Sequence, residues 1–136
     1  MRMTVKSLAV QAGVSPHTVR YYADRGLLAP TRGRRNGYRE FSPRDLQVLR
    51  FVPRAKALGF TLGEIRTIVE RSRRAESPCP IVRDIVHRRI EEFGDRLEEL
   101  QATLGHMRRA AARWLRMPDR VPTGLEVCHQ IESLGG

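Results

Sequence analysis

The sequence predicts a mainly α-helical protein, with a small N-terminal domain of short helices and one long helix after it. Ser-Pro pairs at Ser15 and Ser42 suit helix starts, and nearby glycines suit helix ends. The long helix is predicted because apolar residues between Pro80 and Met117 recur every seven residues. A chain of 136 residues suffices for one domain and an appendage.

Two short helices joined by a tight turn open the chain. Residues 5–12 carry apolar side chains at helical spacing. Ser15, Pro16 and Gly26 then suit the N-cap, the first residue and the end of a second helix. Two such helices across a Gly-containing turn are typical of a helix-turn-helix, whose second helix enters the DNA major groove. The candidate DNA-contacting residues here are Ser15, His17, Thr18, Arg20 and Tyr21. Two surface helices of another all-α domain are the alternative.

The positive charge of the chain lies in its N-terminal half. The formal net charge is +10, yet residues 1–75 hold 16 lysines and arginines against five acidic residues, and the remainder holds nine against ten. Double-stranded DNA is the natural partner of so basic a half, through phosphate contacts and counterion release. No apolar run suits a membrane span or a signal peptide, and no membrane partner is expected. Two distant cysteines form no disulfide framework, which favours a cytoplasmic protein.

A basic hairpin, or wing, is predicted after the second helix. Asn36-Gly37 is a strong signal for a hairpin turn. We expect Tyr38 and Phe41 to pack inward and the arginines of the segment to project toward phosphate. These arginines are Arg32, Arg34, Arg35 and Arg39. A disordered basic loop is the alternative.

A second pair of helices is predicted to complete a DNA-binding domain over residues 1–74. The first helix starts after Ser42, and Pro53 is expected to kink it or to lengthen one turn. Its predicted buried positions are Leu46, Leu49, Val52 and Leu58. The second helix starts with a capping box of Thr61 and Glu64 and continues to about Arg74. Its predicted apolar face consists of Leu62, Ile65, Ile68 and Val69.

After a linker at residues 75–79, one long helix is predicted over residues 80–117, with a length of roughly 55 Å. Its heptad positions hold Ile90, Leu97, Leu104 and Ala111 in one row, and Phe93, Leu100, Met107 and Trp114 in the other. So narrow a stripe is typical of a coiled coil, which predicts a homodimer. Packing against a helix of the same chain is the alternative. Residues 118–136 leave room for one short terminal helix.

Six motifs follow one another across the N-terminal half. They are Ala12-Gly13-Val14-Ser15, Thr18-Val19-Arg20-Tyr21-Tyr22, Arg25-Gly26-Leu27-Leu28, Asn36-Gly37-Tyr38-Arg39, Asp45-Leu46 and Ala57-Leu58-Gly59-Phe60-Thr61-Leu62. In order and spacing they resemble the MerR-type transcriptional regulators. The resemblance implies a winged helix-turn-helix, an antiparallel dimerisation helix and a C-terminal effector segment. It also implies activation of RNA polymerase at a palindromic promoter by distortion of the DNA. The residues that it places at the DNA are Thr18, Arg20, Tyr21, Tyr38, Arg39 and Lys56.

Two cysteines lie near opposite ends of the long helix. Cys79 precedes Pro80 at its start, where a helix favours an anion such as thiolate, and Cys128-His129 lies beyond its end. MerR-type metal sensors resemble this pattern, with a cysteine at the start of the dimer helix and a C-terminal Cys-x-x-Ile-x-x-Leu, here residues 128–134. In an antiparallel dimer Cys79 of one subunit would face Cys128 and His129 of the other. The cysteine at 79 resembles the divalent-metal branch, which implies zinc, cadmium, lead or mercury as effector.

One position departs from those sensors, which usually carry a further cysteine where this chain has Trp114 and Leu115. His129, or else His87 or His106, is the candidate to complete the ligand set, because soft divalent metals accept sulfur and nitrogen together. A thiol redox sensor with the same cysteines is the first alternative, and a regulator of organic ligands is the second. No acid–base pair or nucleophile–base set points to an enzyme.

Overall fold

The structure is a computed structural model that describes residues 2–33 and 37–135. Its regular elements are helices and one short hairpin. The elements are α1 (Val5–Ala12), α2 (Pro16–Asp24), β1 (Thr31–Arg32), β2 (Arg39–Glu40), α3 (Pro43–Ala57), α4 (Leu62–Arg73), α5 (Cys79–Trp114) and α6 (His129–Glu132). The predicted mainly α-helical fold is confirmed. The hairpin-tip residues Arg34, Arg35 and Asn36 lie outside the described residues. The chain divides into an N-terminal unit, Met1–Arg89, and a C-terminal unit, Ile90–Gly136.

Side-chain caps fix the starts of the short helices. Thr4 Oγ1 accepts the backbone N–H of Ser7 at the start of α1, at 3.1 Å. At the start of α4, Thr61 Oγ1 accepts the N–H of Glu64 at 3.2 Å, and Glu64 Oε1 accepts the N–H of Thr61 at 2.8 Å. The predicted capping box is therefore present. It satisfies two donors that a helix start leaves without an intrahelical partner.

A buried carboxylate connects the start of α3 with the segment that leads into the hairpin. Asp45 is the one charged residue buried among the described residues, at 1% exposure. Its Oδ1 accepts the N–H of Ala29 at 2.9 Å, and its Oδ2 accepts the N–H of Ser42 at 3.0 Å. A buried carboxylate is tolerated where hydrogen bonds replace its hydration, as they do here.

The core of the N-terminal unit draws apolar side chains from every helix of that unit. Its fully buried members include Leu8, Val19, Leu27, Phe41, Val52 and Ile65. Of the apolar positions predicted for α3, Leu46, Leu49 and Val52 are buried. The prediction for Leu58 was wrong, since that side chain is 63% exposed. Helix α3 ends at Ala57, so Leu58 lies past the last helical residue and does not continue the buried face.

Helix α3 continues through Pro53 without a break, from Pro43 to Ala57. Proline has no N–H, so the carbonyl of Leu49 loses its usual helical donor. In α4, Ile65, Ile68 and Val69 are buried as predicted, and Leu62 is half-buried.

The hairpin is short and antiparallel, with Thr31 opposite Glu40 and Arg32 opposite Arg39. Its second strand leads to Phe41, which forms a bridge with Met3 through two backbone hydrogen bonds of 2.7 Å. Phe41 is fully buried, as predicted. The prediction that Tyr38 also packs inward was wrong, because Tyr38 is 74% exposed. The two residues are three apart, and in extended chain an odd separation places side chains on opposite faces.

The first turns of α5 belong to the N-terminal unit, where Ile85 is buried in the core. Arg89 donates to both oxygens of Glu64, so the residue that caps α4 also binds α5. Burial raises the pKa of Glu64, but the hydrogen bonds from Thr61 and the Arg89 guanidinium outweigh burial and hold this pKa below its ordinary value. Helix α5 begins one residue earlier and ends three residues earlier than residues 80–117, the range predicted from sequence.

In the C-terminal unit, α5 carries an apolar stripe that its own chain does not cover. The heptad residues Ile90, Phe93, Leu97, Leu100, Leu104 and Met107 are between 45% and 66% exposed. None of the helices in residues 2–33 and 37–135 is long and apolar enough to cross a membrane.

Candidate nucleic-acid interface and metal-binding residues

Helix α2 presents the N-terminal side chains predicted to enter the major groove. Ser15 is its N-cap, and the Ser15 hydroxyl accepts the N–H of Thr18 at 3.1 Å. The Ser15 and Thr18 hydroxyls lie 2.9 Å apart, and Thr18 is half-buried. His17 and Arg20 are exposed. Val19 on the opposite face is fully buried, and this anchors the helix with its polar side outward.

A groove runs between the starts of α1 and α2 and the hairpin. Its lining includes Lys6, Pro16, Arg20, Arg32, Tyr38 and Arg39, together with the carboxylate of Glu40. The structure therefore brings Arg20 together with Tyr38 and Arg39, which belong to a separate motif. The exposed Tyr38 places a phenol hydroxyl, a hydrogen-bond donor, among cations. Such a set of donors suits contacts to phosphate oxygens.

Ion pairs and hydrogen bonds hold the hairpin beside α2. Arg39 Nη2 lies 2.8 Å from Asp24 Oδ1 at the end of α2. Arg32 Nη1 donates to the carbonyl of Gly37 at 2.8 Å and so closes the hairpin on itself. Contrary to the expectation of a projecting side chain, Arg39 is half-buried. A guanidinium has five N–H donors, so Arg39 can bind Asp24 and still donate elsewhere.

Lys56 of α3 reaches the far end of α2. Its Nζ donates to the hydroxyl of Tyr22 at 3.2 Å and lies 5.6 Å from the centre of that ring. Arg25 lies over the ring of Tyr21 at 4.8 Å, and the two tyrosine rings are 5.7 Å apart. Lys56 is thus held by cation–π and hydrogen-bonding contacts with Tyr22, beside Tyr21, which was predicted to contact DNA.

Three residues at these surfaces were not among the predicted contacts: Lys6, Tyr22 and Arg25. Lys6 belongs to the first helix, and its place in the groove depends on how α1 packs on α2. No periodicity in the sequence marks such a contact. Tyr22 and Arg25 belong to motifs identified from the sequence. Their closeness to Tyr21 in the sequence could have indicated that they share its surface.

Both cysteines are free thiols, in different units of the chain. Cys79 is exposed and is the first residue of α5. Pro80 is thus the second helical residue, one position later than predicted. Cys128 is half-buried and is the N-cap of α6. Within residues 2–33 and 37–135 of a single chain, no three His, Cys, Asp or Glu side chains cluster in a way that could hold a metal ion. His87 and His106 are exposed, and His129 is half-buried.

The segment that carries Cys128 and His129 is held by its own hydrogen bonds. Glu132 accepts the N–H groups of Val127 and Cys128 at 3.2 and 3.1 Å. The indole Nε1 of Trp114 donates to the carbonyl of Gln130 at 2.9 Å. In the loop before this segment, Glu126 accepts the backbone N–H of Thr123 and pairs with Arg120, and these contacts lower the pKa of Glu126.

A cap-anchored helix with an exposed basic side, a wing beside it and a groove lined with cations define a DNA-binding protein of the winged helix-turn-helix class. Residues 3–72 match the family described as MerR HTH family regulatory protein, and residues 46–110 match the one described as MerR, DNA binding. The chain belongs to the MerR family of DNA-binding transcription regulators.

Several similar proteins match over most of the chain. The HTH-type transcriptional regulator HmrR of Rhizobium leguminosarum bv. viciae is 34% identical over 77% of this chain and 83% of its own length. The mercuric resistance operon regulatory protein of Bacillus cereus is 29% identical over 98% of both chains. The crystal structure of the transcription regulator PbrR691 from Ralstonia metallidurans CH34, in complex with lead(II), is 28% identical and covers 98% of this chain and 99% of its own, with a TM-score of 0.74.

Proposed function

We propose that this protein is a homodimeric, cytoplasmic regulator that activates transcription in response to a soft divalent metal ion. Residues 1–74 bind a palindromic promoter, 75–79 link them to a dimerisation helix over residues 80–117, and residues 118–136 bind the effector. The metal is zinc, cadmium, lead or mercury. Cys79 of one subunit and Cys128 and His129 of the other hold it. The observation that carries this proposal is the exposed seam of α5, because it calls for a second copy of the chain.

The charge along α5 supports an antiparallel dimer. Residues 91–99 contain five acidic residues and one arginine, whereas residues 100–116 contain four arginines and no acidic residue. In an antiparallel pair the acidic part of one helix lies beside the basic part of the other. In a parallel pair like charges would lie side by side, which destabilises a coiled coil. Six seam residues from Ile90 to Met107 are 45% to 66% exposed in one copy, so their burial against a second copy supplies the driving force.

An antiparallel dimer supports a shared metal site. The start of each long helix then lies at the end of its partner, near the segment that follows the partner helix. Cys79 at one position and Cys128 with His129 at the other offer two thiolates and one imidazole, a donor set that soft divalent metals accept. The names of the similar proteins support the same effector class, since one is a mercuric resistance regulator and another was crystallised with lead(II).

The twofold axis of such a dimer supports a palindromic operator. Two copies of α2 would lie in successive turns of the major groove, each flanked by a wing on the phosphate backbone. Metal at the far end of α5 would act by changing how the two α2 helices are spaced. A changed spacing distorts the DNA between the half-sites and lets RNA polymerase engage a promoter that it otherwise binds poorly.

Mixed dimers test the shared site directly. We expect a dimer with Cys79→Ser in one chain and Cys128→Ser in the other to keep one intact site and about half of the wild-type response. The matched control joins a wild-type chain to a chain with both substitutions, which leaves one cysteine in each intersubunit site and no response. The reverse result, with only the control active, would place the site within a single chain. Operator binding without metal should be unchanged in both dimers.

A thiol redox sensor is the second candidate function, because both cysteines are free and at least partly accessible. In this mechanism an oxidant such as peroxide takes two electrons from the two thiols, which join as an intersubunit disulfide and release two protons. Transcription that follows peroxide and ignores zinc, cadmium, lead and mercury would favour this mechanism. Transcription that follows one of these metals while the thiols stay reduced would exclude it.

A further inference from the structure

We propose that Trp114 is a positioning residue that holds the Cys128–His129 segment against the end of α5 before any effector arrives. Helix α6 has four residues, too few to persist by itself in water. Contacts to the rest of the unit must therefore determine where the segment lies. Trp114, the single tryptophan of the chain, is the last residue of α5 and supplies such a contact.

The contact reaches a backbone group that the short helix leaves open. Carbonyls in the last turn of a helix have no intrahelical donor. The carbonyl of Gln130 accepts from Trp114 Nε1 at 2.9 Å and from the Ser133 hydroxyl at 2.7 Å, which uses both of its lone pairs. Ser133 also lies 3.9 Å from the sulfur of Met117, just past the end of α5. Gln130 is two residues from Cys128, so the hydrogen bonds to its carbonyl restrain the position of the Cys128–His129 segment closely.

Within the segment, Glu132 accepts two backbone N–H groups, those of Val127 and Cys128. Glu132 sets the local shape of the segment, and Trp114 sets its position on α5. The consequence for metal rests on the proposed function: Cys128 and His129 are already ordered, so little of the binding free energy is lost in ordering them. Trp114 thus sets the affinity of the site without donating to the metal.

Alkylation of the two thiols in the reduced, metal-free, full-length protein tests the proposal. Trp114→Phe keeps an aromatic ring and removes the N–H donor. Loss of one hydrogen bond should raise the population of undocked segment, and the alkylation rate of Cys128, about threefold to tenfold. The rate at Cys79 serves as an internal reference and should not change. Leu115→Ala is the matched control, because the neighbouring Leu115 side chain is 88% exposed.

Ser133→Ala gives an independent second variant, since it removes the other donor to Gln130 from a position outside the seam. Like Trp114→Phe, it should raise the alkylation rate of Cys128. An unchanged Cys128 rate in Trp114→Phe, or equal increases at both cysteines, would overturn the proposal. In wild-type protein titrated with Cd²⁺, the apparent affinity should exceed that of Trp114→Phe by the ratio of their docked fractions. If wild type binds no Cd²⁺ but the Cys128 rate rises as expected, the metal-sensing function fails and the positioning role stands.

Discussion

The two units of this chain treat their apolar side chains in opposite ways. The N-terminal unit buries them in a core with several fully buried members, among them Leu8, Phe41 and Ile65. In the C-terminal unit, Ala110 alone is buried among residues 90–135, while a row of large apolar side chains lies in solvent. The first unit thus contains its own core, whereas the second unit leaves its large apolar side chains largely uncovered.

The comparison also separates two kinds of exposed surface. In the N-terminal unit the exposed side chains that matter are cations and tyrosines around α2 and the wing. In the C-terminal unit they are leucines and other apolar residues in two heptad rows. Large exposed apolar stripes are rare on monomers and mark interaction sites. A substitution at an exposed residue should therefore have very different effects in the two units.

The largest effect is expected from Leu97→Glu in the C-terminal unit. Leu97 is 57% exposed in one chain, where a polar substitution is ordinarily neutral. In the proposed dimer the change buries two carboxylates in the seam, so we expect loss of the dimer and of operator binding. Sedimentation velocity at micromolar concentration measures the first, and a gel-shift assay the second. Ala102→Glu adds the same charge outside the two heptad rows and should stay dimeric. A dimeric Leu97→Glu variant would show that the seam is covered in another way.

A smaller effect is expected from Arg20→Ala in the N-terminal unit, where we propose that the exposed residue contacts DNA and not protein. Loss of one charge-assisted contact should weaken operator binding by roughly 1–3 kcal/mol and leave unfolding unchanged. A fluorescence anisotropy titration at fixed salt measures this. Arg83→Ala on α5 removes the same charge outside the groove and is the control. Equal affinities for Arg20→Ala and wild type would remove Arg20 from the interface.

The smallest effect is expected from Glu64→Gln, which tests how far the N-terminal unit stabilises itself. The change weakens a helix cap and an ion pair with Arg89, and should lower the free energy of unfolding by about 1–2 kcal/mol at pH 7. Since the pKa of Glu64 is lower in the folded protein than its ordinary 4.5, the difference from wild type should shrink as pH falls below that value. Urea unfolding at pH 7 and pH 3, at one protein concentration, measures both.

Glu70→Gln provides the comparison for that experiment. Glu70 pairs with Arg66 one turn away on the surface of α4, at 3.0 Å. An exposed pair of this kind contributes about 0.3–0.5 kcal/mol. A Glu64→Gln variant that is no less stable than Glu70→Gln would mean that the bond from Arg89 contributes little to the junction of α4 and α5.

Features set by near neighbours in the chain were predictable. Ser15 caps α2 and Thr61 pairs with Glu64 because each motif acts within four residues. The heptad rows were also predictable, since helix geometry alone determines which side chains share a face. The prediction for Tyr38 was wrong because its side chain lies on the strand face opposite to that of Phe41. The prediction for Leu58 was wrong because the helix ends before that residue.

Contacts between elements could not be predicted in the same way. The place of Lys6 in the groove depends on how two helices pack, and the bond from Trp114 to Gln130 joins a side chain to a carbonyl 16 residues away. Nothing in the residue type at position 130 marks its carbonyl as an acceptor. Whether Cys79 and Cys128 share a metal depends on a second chain, and it stays a prediction.

The buried carboxylate of Asp45 allows the tip of the wing to vary without disturbing the core. Its bonds to Ala29 and Ser42 fasten the two ends of the wing segment to the core at one point, and the bridge from Met3 to Phe41 secures the returning strand. A loop tied at its base can change length or sequence at its tip without disturbing what lies below it. Doubling the number of residues in such a loop costs only about 0.6 kcal/mol. The residues between Arg32 and Arg39 can thus change while the helices that support them stay the same.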